Sequence, residues 1–409
     1  MNSSITLKSN PKIFGTTKEL PSSKSISNRA LILNALTNNQ SVVSNLSSAR
    51  DTKLMYTLVN SPDETIDVMD AGTTMRFLTA YFSLTNQKKI ITGTDRMKQR
   101  PIKLLVDALR LIGVEINYLG EEGFPPIQTL GFKNQKQNEI QIPGNVSSQY
   151  ISALMMVAPT LPNGLTIHLQ GEVGSVPYIT MTAALMKDFG VEPELDFAKN
   201  KIRINHSNYK PSSVTIEADW SAASYWLGFA ALAQEAKIVL PNVSEKSLQG
   251  DRVVVDVMKK LGVNSVFKND GSLELTKGES ENHITWDFKD CPDLAQTVLP
   301  VCAAKNITGE FVGLESLRIK ETDRIAALQN ELKKIGAELT EPETGKWKLV
   351  PGKISNQKIE IETYHDHRMA MGFAPWSTLI DVTIKSPEVV NKSYPGFWED
   401  VKSVGTVIN

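Results

Sequence analysis

Four amphipathic stretches of the 409-residue chain end alike: LLVDALRLIGVEI, ITMTAALMKDFGVEP, RVVVDVMKKLGVNSV and RIAALQNELKKIGAEL. Their closing glycines, Gly113, Gly190, Gly262 and Gly336, are spaced by 77, 72 and 74 residues. So regular a spacing predicts a chain built from copies of one unit rather than a single irregular core. Apolar residues at three- and four-residue steps make each stretch a helix with one buried face. Glycine ends that helix, and the alternating residues after it begin a strand.

A second set of stretches shares the period. SKSISNRALILNAL, AGTTMRFLTAYFSL, SSQYISALMMVAPTL, SAASYWLGFAALA, CPDLAQTVLPVCAA and DHRMAMGFAPWSTL each have a polar start and a long apolar body. A helix that is apolar nearly all round belongs in the middle of a domain, not on its surface. Short runs between the helices, such as SITLKS, EIQIPG, LTIHLQ, AKIVLP, SLELTK and DVTIKS, read as strands. The unit is therefore a small β/α module of two helices and several strands, and six polar-start helices imply six modules. Buried helices favour pseudo-symmetric domains over an open solenoid, so we expect an α/β protein of two globular domains with three modules each. The break falls near VTIEADW: residues 19–217 make the first domain, and residues 1–18 with 218–409 make the second. The polar helix starts then gather at one end of each domain, and the cleft between the domains is the expected active site.

Charge excludes some partners. Lys+Arg 44 against Asp+Glu 45 leaves a net charge of −1, so no basic surface argues for nucleic acid or an anionic membrane. Any positive site must be local. Only 11 of the 44 cations are arginine, yet Arg29, Arg76, Arg96, Arg100, Arg318, Arg324 and Arg368 all fall in the motifs below. Guanidinium suits a two-point grip on carboxylate or phosphate. The two cysteines, Cys291 and Cys302, make no CxxC pair and no disulfide framework, which fits a reducing compartment. The polar opening MNSSITLKSN is no signal peptide and no apolar run reaches membrane-spanning length. A cytoplasmic protein is expected.

SLRIKETDRIAAL, residues 316–328, crowds Lys320, Glu321, Asp323 and Arg324 at a helix start. Thr322 or Asp323 can cap that helix, whose first amides then offer an anion site; taken alone, the string reads as a solvated helix start. PSSKSISNR, residues 21–29, sets Lys24, Ser25 and Arg29 at another helix start, a mix that suits a phosphate. DAGTTMRF, residues 70–77, reads as a glycine turn that lets backbone amides approach a ligand at Gly72. DRMKQRP, residues 95–101, adds Arg100. SSQY and GSVPY add Ser147, Ser148, Gln149, Ser175 and Tyr178, neutral hydrogen-bonders suited to a polyhydroxylated or phosphorylated small molecule. CPDLAQ puts Asp293 at the head of an apolar helix, where it can cap the helix or, beside a lysine, take a proton from a hydroxyl. YHDHRMAM holds His365 and His367 as an HxH. A metal needs a third ligand there, and His168, His206 and His283 stand away from the motifs, so none is expected. Arg368 beside the pair points to an anion, and NKSYP adds Lys392.

In order and spacing, PSSKSISNR, DAGTTMRF, DRMKQRPI, SSQY, GSVPY, QGD, CPD, RIKETDR, DHRMAM and NKSYP resemble the 5-enolpyruvylshikimate-3-phosphate synthase family over essentially the whole chain. The resemblance implies two globular domains, each of three βαβαββ repeats. It implies transfer of the enolpyruvyl group of phosphoenolpyruvate to the 5-hydroxyl of shikimate 3-phosphate, on the way to chorismate, without a cofactor. Lys24, Ser25, Arg29, Ser147, Ser148, Ser175, Tyr178, Asp293, Ser316 and Lys320 would hold shikimate 3-phosphate. Phosphoenolpyruvate would sit against Lys24, Gly72, Arg100, Gln149, Arg324, Arg368 and Lys392. These two small molecules are the only partners implied, and a monomer is expected. The sister transferase acting on UDP-N-acetylglucosamine shares the repeat fold but relies on a cysteine in the loop matching DRMKQRP, where this chain has none.

The chemistry asks for two proton transfers: the 5-hydroxyl loses a proton as it attacks C2, and C3 gains one and later returns it as phosphate leaves. Asp293 with Lys320 is the expected handler of the first, Glu321 with His367 of the second, and Lys24 is the ammonium nearest both substrates. Binding is expected to draw the domains together. Ser22 and Ser23 stand where Gly-Ser is common, Asp70 for Asn, Phe77 for Pro, and Ser316 for an Asn on the 3-phosphate. SSARDT lacks the usual paired aspartates. These departures bear on inhibitor response rather than on the reaction.

Overall fold

The computed structural model describes residues 3–18, 20–355 and 358–409; the domain boundary expected at residue 19 lies outside them. The chain divides into two compact units. One takes Met1–Ser22, Ser48–Arg50 and Glu217–Asn409, the other Ser23–Ser47 and Asp51–Ile216. Each unit is mixed α/β with its own apolar core.

Six sheets occur among the described residues, three in each unit, and four of them share one plan. Thr65–Asp67 runs parallel to Lys89–Thr92, with the helix Gly72–Leu84 as the connection. The helix Lys103–Ile112 then leads into Val114–Tyr118, and Ile127–Phe132 lies between the second and third strands, antiparallel to both. Strand, helix, strand, helix, strand, strand is the βαβαββ order. It recurs at Glu139–Pro143, Leu165–Gln170, Glu194–Asp196 and Lys201–Ile204. The other unit carries it at Lys12–Thr16, Glu235–Leu240, Leu261–Phe267 and Leu273–Ser280, and again at His283–Asp287, Thr308–Val312, Glu338–Glu343 and Lys346–Val350. In the remaining two sheets, Ile359–Ile361 lies parallel to Val382–Lys385, and Val42–Ser44 parallel to Ser213–Thr215.

The polar-start stretches form the helices Lys24–Leu36, Gly72–Leu84 and Ser148–Val157 in one unit, and Trp220–Leu232, Ala295–Ala304 and His367–Phe373 in the other. Within each unit these three pack on one another. Their burial is nearly complete: in Gly72–Leu84 every residue but Thr73 is buried, and in Trp220–Leu232 every residue but Ser221. Each large apolar side chain so buried contributes about 1.5–3 kcal/mol, and this burial holds each trio together. The amphipathic helices lie outside. Their closing glycines all take positive φ, 119, 82, 85 and 75° for Gly113, Gly190, Gly262 and Gly336. At Gly113 a Cβ would stand 2.3 Å from the Asn134 carbonyl oxygen, so both conformation and space require glycine there. Gly262 differs in sitting at a bulge inside its strand, not at a helix cap.

The unit containing residues 217–409 is closed by distant parts of the chain. Ser4–Leu7 pairs antiparallel with Val382–Lys385, and the Thr6 and Lys8 amides donate to the Asn409 and Val407 carbonyls, each at 2.8 Å. Among the described residues no helix is long and apolar enough to cross a membrane.

Candidate active site

The charged string that the sequence places on a helix start lies mostly ahead of it. Glu315–Ile319 is a 3-10 turn, and the α-helix runs Arg324–Lys333. Asp323 is the cap: its Oδ1 accepts from the Ala326 amide at 3.0 Å. Lys320 and Glu321 thus project from a short turn, and Arg324 from the first helical position.

Arg324 is the hub of this unit's cluster, almost fully buried. Its Nε donates to Asp366 Oδ2 at 2.7 Å, Nη1 to Asp293 Oδ1 at 2.9 Å, and Nη2 to Glu321 Oε2 at 2.8 Å. Arg368 Nη2 donates to the other Asp293 oxygen at 2.8 Å and to Ser221 Oγ at 3.3 Å, and Nη1 to Tyr225 Oη at 3.3 Å. Lys320 Nζ lies 3.5 Å from Asp293 Oδ1, and Lys392 Nζ 3.8 Å from Glu321 Oε1. Four cations therefore enclose two partly exposed carboxylates, Asp293 and Glu321. Burial pushes the Asp293 carboxyl up, but Arg368, Lys320 and Arg324 outweigh it and hold it well below the usual carboxylate range. Behind them, Ser221 Oγ donates to buried Asp251. Burial and the nearby Asp293 charge raise the Asp251 carboxyl to about 7.

The turn that delivers Asp366, His367 and Arg368 is strained. Tyr364 and His365 are consecutive left-handed residues with φ of 53 and 57°, a conformation that costs on the order of 1–3 kcal/mol for each non-glycine residue. It must be held from outside. Asp366, fully buried, caps the next helix through the Arg368 amide at 2.9 Å while accepting from Arg324. His367 is buried whereas His365 is exposed, so the HxH does not present two imidazoles together. Among the described residues no group of three or more His, Cys, Asp or Glu side chains is placed to hold a metal ion.

The other unit carries the second set. Ser23 caps Lys24–Leu36 through the Ile26 amide, which leaves Lys24 on the first turn with its Nζ 3.3 Å from Asp51 Oδ2. Arg29 is buried, and its donors are engaged. Nε reaches Thr182 Oγ1 at 2.7 Å, Nη2 reaches Ser152 Oγ at 2.9 Å, and Nη1 reaches the Ser25 carbonyl at 2.9 Å. Phe77 and Tyr178 face its guanidinium at 5.3 and 5.9 Å, which explains the aromatic residue at position 77. Burial lowers Arg29 to about 10. Ser147 caps Ser148–Val157, and Ser175 is a left-handed residue ahead of Val176–Asp188. Gly72 opens a helix whose preceding residue, Ala71, makes no side-chain cap, so the first amides there suit an anion. Arg100 lies against this turn, its Nη1 donating to the Asp70 carbonyl at 3.3 Å, and Gln149 Nε2 donates to Thr73 Oγ1 at 3.1 Å.

The expected site residues thus fall into two sets. Lys24, Ser25, Arg29, Gly72, Arg100, Ser147, Ser148, Gln149, Ser175 and Tyr178 belong to one unit, and Asp293, Ser316, Lys320, Glu321, Arg324, His367, Arg368 and Lys392 to the other. Ser316 sits in the 3-10 turn before Lys320. Sequence reasoning missed Asp366, Asp51, Asp251 and Ser221. Asp366 had a signal, a carboxylate between two histidines at a helix cap, but Asp51 lies 27 residues from the lysine it meets and had none.

The sequence matches the family described as EPSP synthase (3-phosphoshikimate 1-carboxyvinyltransferase) over residues 9–61 and 57–401. A 3-phosphoshikimate 1-carboxyvinyltransferase of Bacteroides fragilis is 46% identical over 401 residues, covering 98% of this chain and 97% of the relative. One from Haemophilus influenzae is 36% identical over 432 residues, covering 98% of each. Among solved structures, an EPSP synthase from Acinetobacter baumannii superposes with a TM-score of 0.77 at 20% identity, over 100% of both chains, a likeness of fold. On the sequence match along nearly its whole length, this chain belongs to the EPSP synthase family.

Proposed function

We propose that the protein transfers the enolpyruvyl group of phosphoenolpyruvate to the 5-hydroxyl of shikimate 3-phosphate and releases phosphate. The observation that carries the chemistry is the pair of carboxylates, Asp293 and Glu321, set among Lys320, Arg324, Arg368 and Lys392. A pure anion binder would lose affinity by placing carboxylates among its cations; a proton-transfer site needs them. In this reading Arg324, Arg368, Lys392, Arg100, Gln149, Lys24 and the Gly72 amides take phosphoenolpyruvate. Lys24, Ser25, Arg29, Ser147, Ser148, Ser175, Tyr178, Asp293, Ser316 and Lys320 take shikimate 3-phosphate, Arg29 chiefly by fixing the Ser25 carbonyl. Both sets are needed at one pair of substrates, and the division after residue 217, with residues 1–18 joined to the second half, is our proposal for the domains.

Asp293 with Lys320 handles the hydroxyl proton, and Glu321 with His367 handles the proton at C3. Before substrate binds, Asp293 is too weak a base for its task. Substrate phosphate and carboxylate groups share the cations that depress it, so its basicity rises when both substrates are in place. The protein acts as a monomer in a reducing cytoplasm, in keeping with the two buried free thiols, Cys291 and Cys302.

Phosphate release should require both substrates together; none with fresh substrates overturns the reading. Glu321→Gln should bind both substrates and lose turnover by about 10²–10⁴-fold. A near-normal kcat would remove Glu321 from the proton step. At Gly72 a Cβ would lie 2.5 Å from Arg100 Nη2. Gly72→Ala should push the guanidinium aside and raise KM for phosphoenolpyruvate about tenfold, worth about 1.4 kcal/mol. An unchanged KM would show that Arg100 grips no ligand from that position.

A further inference from the structure

We propose that Glu331 is a positioning residue for phosphoenolpyruvate capture, holding the left-handed turn Tyr364–His365 that aims Asp366 and Arg368; this rests on the assignment of Arg324 and Arg368 to that substrate.

Glu331 lies on the helix Arg324–Lys333, two turns beyond Arg324 and on the same side of it. Its side chain is 0% exposed, and a buried carboxylate is tolerated only where its oxygens are well partnered. Oε1 accepts from Tyr364 Oη at 2.8 Å, and Oε2 from the Glu362 amide at 3.2 Å and Lys334 Nζ at 2.6 Å. Lys334 Nζ in turn donates to the Glu360 carbonyl at 2.9 Å. Among the described residues every partner of this carboxylate thus belongs to residues 360–364 or is a lysine anchored there. At its other end the same helix reaches past the turn, through Arg324 Nε to Asp366 Oδ2 at 2.7 Å.

One helix therefore grips the chain on both sides of two consecutive left-handed residues. A tyrosine and a histidine do not hold that conformation unaided. Releasing the Glu331 end lets residues 364–365 relax to ordinary backbone, which turns Arg368 relative to Arg324. Two guanidinium groups that share one small dianionic ligand lose affinity when their spacing changes. The hydroxylated substrate, which relies on other groups, keeps its affinity.

Steady-state kinetics on the full chain test this. Glu331→Ala and Tyr364→Phe should each raise KM for phosphoenolpyruvate, the first by about tenfold, with KM for shikimate 3-phosphate little changed. His365→Gly alone should behave as wild type, because glycine adopts left-handed φ without penalty. Added to Glu331→Ala, it should recover most of the lost KM, a rescue that a role in packing alone does not predict. An unchanged KM in both single variants, or a loss that His365→Gly fails to relieve, overturns the proposal. If Glu331→Ala does not fold, Tyr364→Phe with and without His365→Gly makes the same comparison. Arg368→Lys checks the underlying assignment separately: with KM for phosphoenolpyruvate unmoved there, that assignment fails whatever Glu331 does.

Discussion

Arg324→Met should destabilise the unit built from residues 217–409 by about 3–5 kcal/mol, the cost of leaving a buried charge without its partner. The stranded group is Asp366, whose side chain is 0% exposed and whose Oδ2 accepts from Arg324 Nε at 2.7 Å. Methionine fills much of the volume but offers no donor. Chemical denaturation should show the loss as an earlier midpoint with an unchanged slope. Adding Asp366→Asn should recover a large part of it, since an amide is far cheaper to bury than an unpaired carboxylate. A double variant less stable than Arg324→Met would mean that Asp366 is held by its other contacts and that Arg324 is there for the ligand alone. Activity should vanish in either variant, so the stability measurement carries the information.

Asp293→Asn should lower kcat by about 10²–10⁴-fold with a smaller rise in KM, because the amide oxygen keeps one of the two guanidinium contacts, which in the wild type go to separate carboxylate oxygens, while its NH2 faces the other. The pH dependence is more specific. Asp293 is held well below the usual carboxylate range, by Arg368, Lys320 and Arg324 against the upward push of burial. If bound substrates share those cations, the acid limb of kcat, which reports the ternary complex, should lie at higher pH than that of kcat/KM, which reports the free enzyme. Coincident limbs would rule out substrate-raised basicity. The stability effect runs in the same direction in pH. A depressed carboxyl contributes stability above its unfolded value of about 3.9, and that contribution is lost as the pH falls through the folded value.

The parts of this protein visible in its sequence are those written in local pattern. The glycine period, the apolar bodies of six helices and the motif strings are each contained in a dozen residues or so, and they led to six modules and to the charged residues of both sets. Pairings over distance were not visible. Lys24 meets Asp51, Arg29 meets Ser152 and Thr182, and Arg324 meets Asp366, and nothing in one string names its partner in another. The helix start was legible, since Asp323, one of the two caps the sequence offers, caps the helix that begins at Arg324. That Lys320 and Glu321, just ahead of it, lie near Asp293 and Lys392 was not.

The closure of one unit by the two far parts of its chain fixes an order of events during synthesis. The unit of residues 23–47 and 51–216 is nearly continuous in sequence and can complete its three sheets while the ribosome is still at work. Lys12–Thr16 must wait for Glu235–Leu240, and Ser4–Leu7 for Val382–Lys385. At about 5–20 residues per second the latter wait is roughly 20–75 s. Until Glu235–Leu240 emerges both early strands present unsatisfied edges, and after that Ser4–Leu7 does so alone. Both are short, at four and five residues, and Lys12 and Gly15 interrupt the second. A nascent chain with such weak early strands avoids pairing with its neighbours until its own last strand arrives.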